Sequence, residues 1–471
     1  MLAKQRTRHL LTSLIIVAAL LLGFQAAVAG QGQNPFLGSV PTGEATGATL
    51  DLSLKDAFER ALKYNLGAIE SSQNARAAHA VRLRQLNALL PDLSVRVSGA
   101  LQQINLKASG FNLSIPGFSV PTMVGPFGVA DARAYLSQEI FNWSDIKTWK
   151  SASESEQASQ YTYKSDRDLV VFTTGNAYLL VISDLATVET VRSQINTAQT
   201  LFQQDEDQNK QGLIASIDVL RSRVELQTQQ QRLIAAENQL AIDKLTLARV
   251  IGLPNGQEFR LTDSAPYVAL DGISQEEALK RAYNIRPDYQ SARAQVRAAE
   301  LARQAAGAEN YPSLTSAANY GDIGSPNFGT SHGTVDFSVT LNVPVVQGSK
   351  VRADKLQADT ALTQRKAELA DLGGRIDDQV RTAFLNLKSS SELVAVAQSN
   401  IELASQTLTQ AQDRLRAGIA DNLEVVQAQE SVAAANQSYI TSLYAYNLAK
   451  ISLAQSMGVA EQSALQYLGA R

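Results

Sequence analysis

The residues best placed for chemistry in this chain are carboxylates. Asp205-Glu206-Asp207 stand in one run just ahead of Gly212, with Asp218 beyond it, and Glu424 follows Gly418 in the same pattern far downstream. Adjacent carboxylates attract cations or a basic partner surface; on a helix they otherwise make a solvated face. Catalysis finds little else to work with. His9, His79 and His332 are scattered and Cys is absent. No His-x-x-Glu-His, Gly-x-Ser-x-Gly or phosphate-loop pattern occurs. Without thiolates there can be no disulfide, cysteine nucleophile or thiolate metal site. The sequence therefore predicts no enzyme, no metal centre and no cofactor.

The elements that carry these carboxylates are written twice. Gly212 to Val219 reads GLIASIDV and returns as GIADNLEV at Gly418 to Val425; this offset of 206 continues to Ile251-Gly252 against Met457-Gly458. An earlier offset of 221 aligns Leu52–Ala57 with Ile273–Ala278 and Leu90–Leu93 with Tyr311–Leu314, so copy one holds about 15 extra residues after Leu93. A duplication on this scale means two copies of one structural unit.

Each copy is dominated by long helices. Ile376, Val380, Ala383, Leu387, Ser390, Val394, Ala397, Ile401, Ala404, Leu408, Ala411 and Leu415 step by four and three. The same register in copy one gives Val170, Thr174, Ala177, Val181, Asp184, Val188, Val191, Ile195, Ala198 and Phe202, with Asp184 answering Ser390 as the polar interruption. A sustained seven-residue period is a coiled-coil signature. After each glycine a second stripe begins: Val219, Leu226, Leu233, Leu240, Leu247, and Val425, Val432, Tyr439, Tyr446, Leu453. Each copy thus predicts a helical hairpin turning at Gly212 or Gly418, where glycine suits a left-handed helix end. The arm from Ser349 to Leu415 would be about 100 Å long at 1.5 Å per residue. Gly373-Gly374 within it marks either a bend or a close packing contact. Ser53-x-x-Asp56 and Ser274-x-x-Glu277 have capping-box spacing and open shorter helices.

Four strands are predicted between the short helices and the long arms. Val335, Phe337, Val339, Leu341 and Val343 alternate strictly with polar residues and form a candidate lipid face. Leu93, Val95, Val97 and Leu101 alternate likewise, as do Ala130, Ala132, Ala134, Leu136 and Ile140; Ser313 to Tyr320 is the weakest. Ten-residue alternating strands fit a membrane β-barrel as well as a soluble sheet. Four strands cannot close a barrel, so copies must pool them; three would give twelve. Gly110 to Gly128 and Gly321 to Gly333 read as loops.

Residues 1–29 read as a secretory signal: Lys4, Arg6 and Arg8, an apolar run from Leu10 to Phe24, then Ala27-Val28-Ala29. Beyond it no apolar stretch reaches spanning length. Its removal takes the formal charge from −3 to −6, with 39 basic against 45 acidic residues left. Mild acidity argues against a nucleic-acid partner. The expected layout is a flexible leader at 30–50, a first repeat at 51–254 (strands about 93–141, hairpin about 144–251), and a linker at 255–272. A second repeat follows at 273–458 (strands about 313–345, hairpin about 349–457), with a short tail at 459–471.

In this arrangement the chain resembles the outer-membrane efflux proteins, the TolC-like channels. The match rests on Leu52–Leu62 (LSLKDAFERAL) with its repeat at 273–282, Leu89–Leu93, Ile140–Trp143 and the two glycine turns. It covers essentially the whole chain beyond the signal. The resemblance implies mixed architecture: all-α coiled-coil hairpins plus membrane β-barrel strands, in two tandem repeats with four strands per chain. A homotrimer would close a 12-stranded barrel in the outer membrane, with a long α-helical barrel reaching into the periplasm. It implies an exit duct for efflux or type I secretion, whose turns dock a periplasmic membrane-fusion adaptor and through it an inner-membrane pump. On that reading Gly212, Leu213, Asp218, Val219, Gly418, Ile419, Glu424, Val425 and Gln427 are candidate docking and gating residues. Acidic residues narrow the mouth in some members; here Glu424 keeps one position, while Gln427 and Ala420 replace a second acid and a basic partner. A tight charged gate is therefore not expected. The competing reading is a soluble periplasmic coiled-coil scaffold or adaptor, which should lack lipid-compatible hairpins.

Overall fold

The computed structural model describes residues 34–469 except 109, 111–113, 116–117, 120, 265–266, 271, 327–328, 330 and 420–421. The expected signal segment and Ala420 lie outside the described residues. The chain divides into two compact units.

The first unit takes the stretch through Ser71, Tyr163–Arg286 and the chain from Ile376 onward. In it β1 (Leu50–Leu52) pairs in parallel with β6 (Phe259–Leu261). Helices α1 (Leu54–Tyr64) and α5 (Gln275–Ile285) each begin with a full capping box, Ser53 with Asp56 and Ser274 with Glu277. Those reciprocal bonds satisfy donors that a helix start leaves orphaned. The long helices α3 (Trp143–Lys210) and α7 (Lys350–Arg416) run into this unit and turn back as α4 (Ser216–Ile251) and α8 (Asn422–Ser456).

The heptad stripes are the buried faces of these helices. Val170, Thr174, Val181, Val188, Val191 and Ala198 are buried on α3, and Ile376, Val380, Ala383, Val394, Ala397 and Ala411 on α7. Fully burying a Val or Ile side chain such as Val170, Val181, Ile376 or Val380 contributes roughly 1.5–3 kcal/mol. Ser390 is tolerated among them because its hydroxyl donates to the Asn386 carbonyl at 2.6 Å. One stretch of α3 does reach spanning length by composition, which corrects the reading above. Val170, Val171, Leu179 and Val181 from α3 are buried in the protein core. Gly175 lets α8 approach α3: a methyl there would stand 2.8 Å from the Ile451 Cδ1 atom. At Gly374 a methyl would meet nothing within 4 Å among the described residues, and the helix continues unbroken through the glycine pair.

The three segments read as a flexible leader, a linker and a short tail each contribute to this unit. Within the leader, the Val40 amide donates to the Tyr64 carbonyl at 2.9 Å, and the Asn65 side chain holds the Phe36 carbonyl at 2.8 Å. Within the linker, β6 supplies the partner of β1. The tail forms α9 (Ala460–Leu468), whose Glu461 amide bonds to Asp168 on α3 at 2.9 Å. Such short pieces carry no periodicity to read; long-range backbone bonds order them.

The second unit comprises Ser72–Thr162 and Pro287–Arg375. It holds most of α2 (Leu66–Asn87), α6 (Pro287–Ala308) and the outer portions of α3 and α7. Its sheet contains β2 (Asp92–Asn105), β5 (Met123–Phe141), β7 (Ser313–Gly324) and β8 (His332–Asn342), antiparallel in the order β2-β5-β7-β8. A two-residue ribbon, β3 (Ser114–Ile115) with β4 (Phe118–Ser119), sits in the copy-one insertion. The expected loop from Gly110 to Gly128 is shorter than read, since β5 already pairs with β2 from Met123 across a register shift. Ladder bonds there override the turn-forming composition.

Candidate channel-forming site

The sheet has two unlike faces. Leu93, Val95, Val97 and Leu101 are 71–77% exposed on β2, and Val335, Phe337, Val339 and Leu341 are 52–73% exposed on β8 with the adjoining Val343. The register places Val95 beside Ala134, Val97 beside Ala132, Ala318 beside Phe337 and Tyr320 beside Val335. The row Val95–Ala134–Tyr320–Val335 is thus free of charge from edge to edge, while Asp322 lies on the same face beside Ala132.

The other face carries charge. Arg96 stands opposite Arg133, Tyr135 opposite Asn319, and Asn319 opposite Asp336. The Arg133 Nε donates to Asp131 Oδ1 at 2.7 Å and its Nη1 to Asn319 Oδ1 at 3.4 Å, with Asp336 Oδ2 at 3.8 Å. Both Arg96 and Arg133 lie over the Tyr135 ring, at 5.1 and 5.4 Å. Sequence alternation found the two faces but not this network, which depends on cross-strand register. Apolar side chains on one face and ion pairs on the other suit a wall between lipid and water.

The glycine turns share one geometry. Gly212 has φ +74°, its amide donates to the Asn209 carbonyl at 2.9 Å, and the Leu213 amide donates to Gln208 at 2.9 Å. Gly418 has φ +70°, with Leu415 and Arg414 accepting from Gly418 and Ile419 at 3.0 Å each. Both are Schellman ends, which satisfy the last carbonyls of α3 and α7. Leu213 and Ile419 project into solvent, 69% and 68% exposed, and Gln427 is exposed too. Asp218 and Val219 are half-buried, and Asp218 pairs with Arg221 at 3.1 Å. Val425 is buried with Leu201, Ala411 and Ala428, so it packs the core and offers no surface. Glu424 pairs with Arg414 at 3.2 Å, a basic partner on α7 that reading the turn alone did not find.

The acidic run does not act as one cluster. Glu206 and Asp207 face Lys210 on the surface, at 3.6 and 3.2 Å. Asp205 turns inward, where the Asn422 Nδ2 of α8 donates to its carboxylate. Burial holds Asp205 above the usual carboxylate range, opposed by hydrogen bonds from Ser222 and Asn422. Asp184 is pushed up to about 7, first by burial and then by Asp243. Burial also lowers Lys450 to about 8; its Nζ lies 4.7 Å over the Tyr446 ring with no hydrogen-bond partner among the described residues.

The profile of the outer membrane efflux protein family matches residues 61–253 and 278–459. The chain belongs to this family. Among its relatives, the probable efflux pump outer membrane protein TtgC of Pseudomonas putida is 24% identical over 65% of this chain and 64% of its own length. The aligned part thus falls short of two thirds of that relative. The pyoverdine export outer membrane protein OpmQ of Pseudomonas aeruginosa is 26% identical over 85% of both chains. Among solved structures, the outer membrane protein VceC of Vibrio cholerae superposes with a TM-score of 0.72 at 16% identity, over 86% of this chain and 96% of that one. The fold of this outer membrane efflux protein is therefore that of the family's channels, and its place is the outer membrane with extension into the periplasm. Its two matched segments carry the two glycine turns, one in each.

Proposed function

We propose that three copies of this efflux protein join their sheets into a twelve-stranded barrel and their hairpins into a helical tunnel. The duct passes small molecules or polypeptides outward, as in tripartite efflux or type I secretion. It needs no chemistry of its own; a water-filled path spares polar cargo the hydrocarbon layer, and energy comes from partners. The observation that carries this reading is the sheet: exposed apolar rows on the face that β2 and β8 share, a charged opposite face, and β2 and β8 left as edges. An exposed apolar sheet of this extent is an aggregation hazard in water and an asset only in lipid. That weighs against a soluble scaffold.

The helices support self-association. Ile217, Leu220, Val224, Ile234 and Leu245 on α4, and Leu385, Leu393, Val396 and Leu403 on α7, form stripes that this chain leaves exposed. Coiled-coil seams bury stripes of this kind. The exposed turn residues Gly212, Leu213, Gly418, Ile419 and Gln427, flanked by Asp218 and Glu424, are the surface offered to a periplasmic membrane-fusion adaptor, and through it to an inner-membrane pump. The test is membrane fractionation with native mass in detergent. A trimer recovered from the outer membrane supports the reading, and a soluble monomer overturns it.

A further inference from the structure

The two helical hairpins enclose polar groups that an exit duct does not need. Where α3, α4 and α8 meet, with Leu408 of α7 also in the wall, the chain leaves a cavity of about 370 Å³. Glu189, Ser193 and Thr197 of α3, Glu225 and Gln229 of α4, and Gln429 of α8 line it. All of them belong to the first compact unit. Coiled-coil interiors bury apolar side chains. Here Glu225, Gln229 and Gln429 are instead only 5%, 2% and 8% exposed.

These buried groups leave acceptors over. Gln229 Nε2 donates to Glu225 Oε1 at 2.7 Å, while Gln229 Oε1 and both polar atoms of the Gln429 amide have no partner among the described residues. The Thr197 hydroxyl spends its proton on the Ser193 carbonyl at 3.2 Å. Positive charge is missing as well: among the described residues no Lys, Arg or His lines the cavity. Arg192 is paired with Glu237 at 2.8 Å and Arg221 with Asp218 at 3.1 Å. Arg416, which lines an adjoining cavity, is paired with Asp413 at 3.1 Å. A buried carboxylate without a cation is costly, and each unmet buried polar group costs about 1–3 kcal/mol.

We propose that this cavity binds a small primary ammonium, with Glu225 as counter-charge and the Gln229 and Gln429 side-chain oxygens as further acceptors. An alkylammonium brings three donors and no acceptor, the complement of this lining. Exposed Glu189 adds negative charge at the rim. The volume falls in the range of small-molecule sites. A bare divalent metal fits less well, since Ca²⁺ takes six or more oxygens. No group of three or more His, Cys, Asp or Glu suited to a metal occurs among the described residues. Glu225 belongs to the first hairpin and Gln429 to the second, so an occupant bridges the two and resists their separation. The site lies within one chain and does not depend on assembly.

The test titrates the intact protein in detergent with butane-1,4-diamine by calorimetry, with Mg²⁺ alone and butane-1,4-diol in parallel, and records the melting midpoint. The expected result is saturable binding of one diamine per chain and a raised midpoint. Glu225→Gln should weaken binding roughly tenfold or more, as loss of a charged hydrogen bond does. Gln429→Leu should weaken it roughly fivefold, the scale of one neutral hydrogen bond, without lowering the midpoint of the unliganded protein. Glu206→Gln, on the surface, should leave binding unchanged. Absence of saturable binding, equal binding by Glu225→Gln, or equal affinity for the diol overturns the proposal. Displacement of the diamine by Mg²⁺ at equal concentration makes this a metal site and overturns the ammonium assignment. Should Glu225→Gln fail to fold, Gln429→Leu decides: undiminished binding there overturns the site.

Discussion

Asp184 on α3, at the register where the apolar heptad is interrupted, has the carboxyl of Asp243 on α4 as its neighbour, and burial followed by that neighbour pushes it up to about 7. Asp243 also accepts from the Gln239 side chain at 2.7 Å and is buried. Burial and a neighbouring carboxyl both disfavour the charged form of Asp184.

The pair should make stability depend on pH. Asp184 is raised from 3.8 to about 7, so between those values the folded protein holds a proton that the unfolded chain has lost. Stability then falls as pH rises through that window. Helix melting followed by circular dichroism should show a lower midpoint at pH 8 than at pH 5, by several degrees. Replacing Asp184 with Asn should narrow that gap; an unchanged gap would refute the assignment.

At the helix ends, Asn422→Ala should release the buried Asp205 from its donor. Leaving a buried acceptor short of a partner costs about 1–3 kcal/mol. Amide exchange should speed up roughly tenfold for residues near 205–222 and 414–430, while α1 and α5 stay protected. Uniform exchange changes, or none, would count against a local clasp.

Two glycine variants should fail differently. At Gly418 a Cβ meets no atom of the described residues within 4 Å, but φ is +70°, a conformation costing non-glycine residues roughly 1–2 kcal/mol. Gly418→Val should reach the outer membrane in normal amounts yet restore export poorly in a deletion strain. Gly175→Val instead drives a branched side chain into Ile451 and should lower the amount of assembled protein. Equal export by Gly418→Val and the parent would remove the turn from the mechanism.

The two faces of the sheet should tolerate charge unequally. On the proposed lipid-facing side, Phe337→Arg should cost about 2–4 kcal/mol near the bilayer midplane. Ser338→Arg, one residue along, faces the polar side and should assemble nearly as well as the parent. Heat-resistant trimer yield on gels reads both; similar losses would contradict the assignment of faces.

The sequence carried the periodic parts of this architecture. Heptads from Ile376 and Val170 gave the buried helix faces, and alternation at Val335–Val343 gave the apolar side of the sheet. Leu50–Leu52, Phe259–Leu261 and Ala460–Leu468 were missed because a few residues show no period, and their order comes from distant partners. At the site, Gly212 and Gly418 were legible because only a left-handed residue ends a helix that way. Asp205, read as part of a surface run, is buried, since its partner Asn422 stands more than 200 positions away. The Arg133 network was equally hidden, because it needs the register of β5 on β7 and of β7 on β8.

The claim that copies of this chain enclose a water-filled path is tested most directly by single-channel recording in a planar lipid film. Purified trimer should give discrete, reproducible conductance steps whose frequency scales with protein added. A preparation that is trimeric and membrane-inserted yet never passes ions, at any voltage the film withstands, would contradict it.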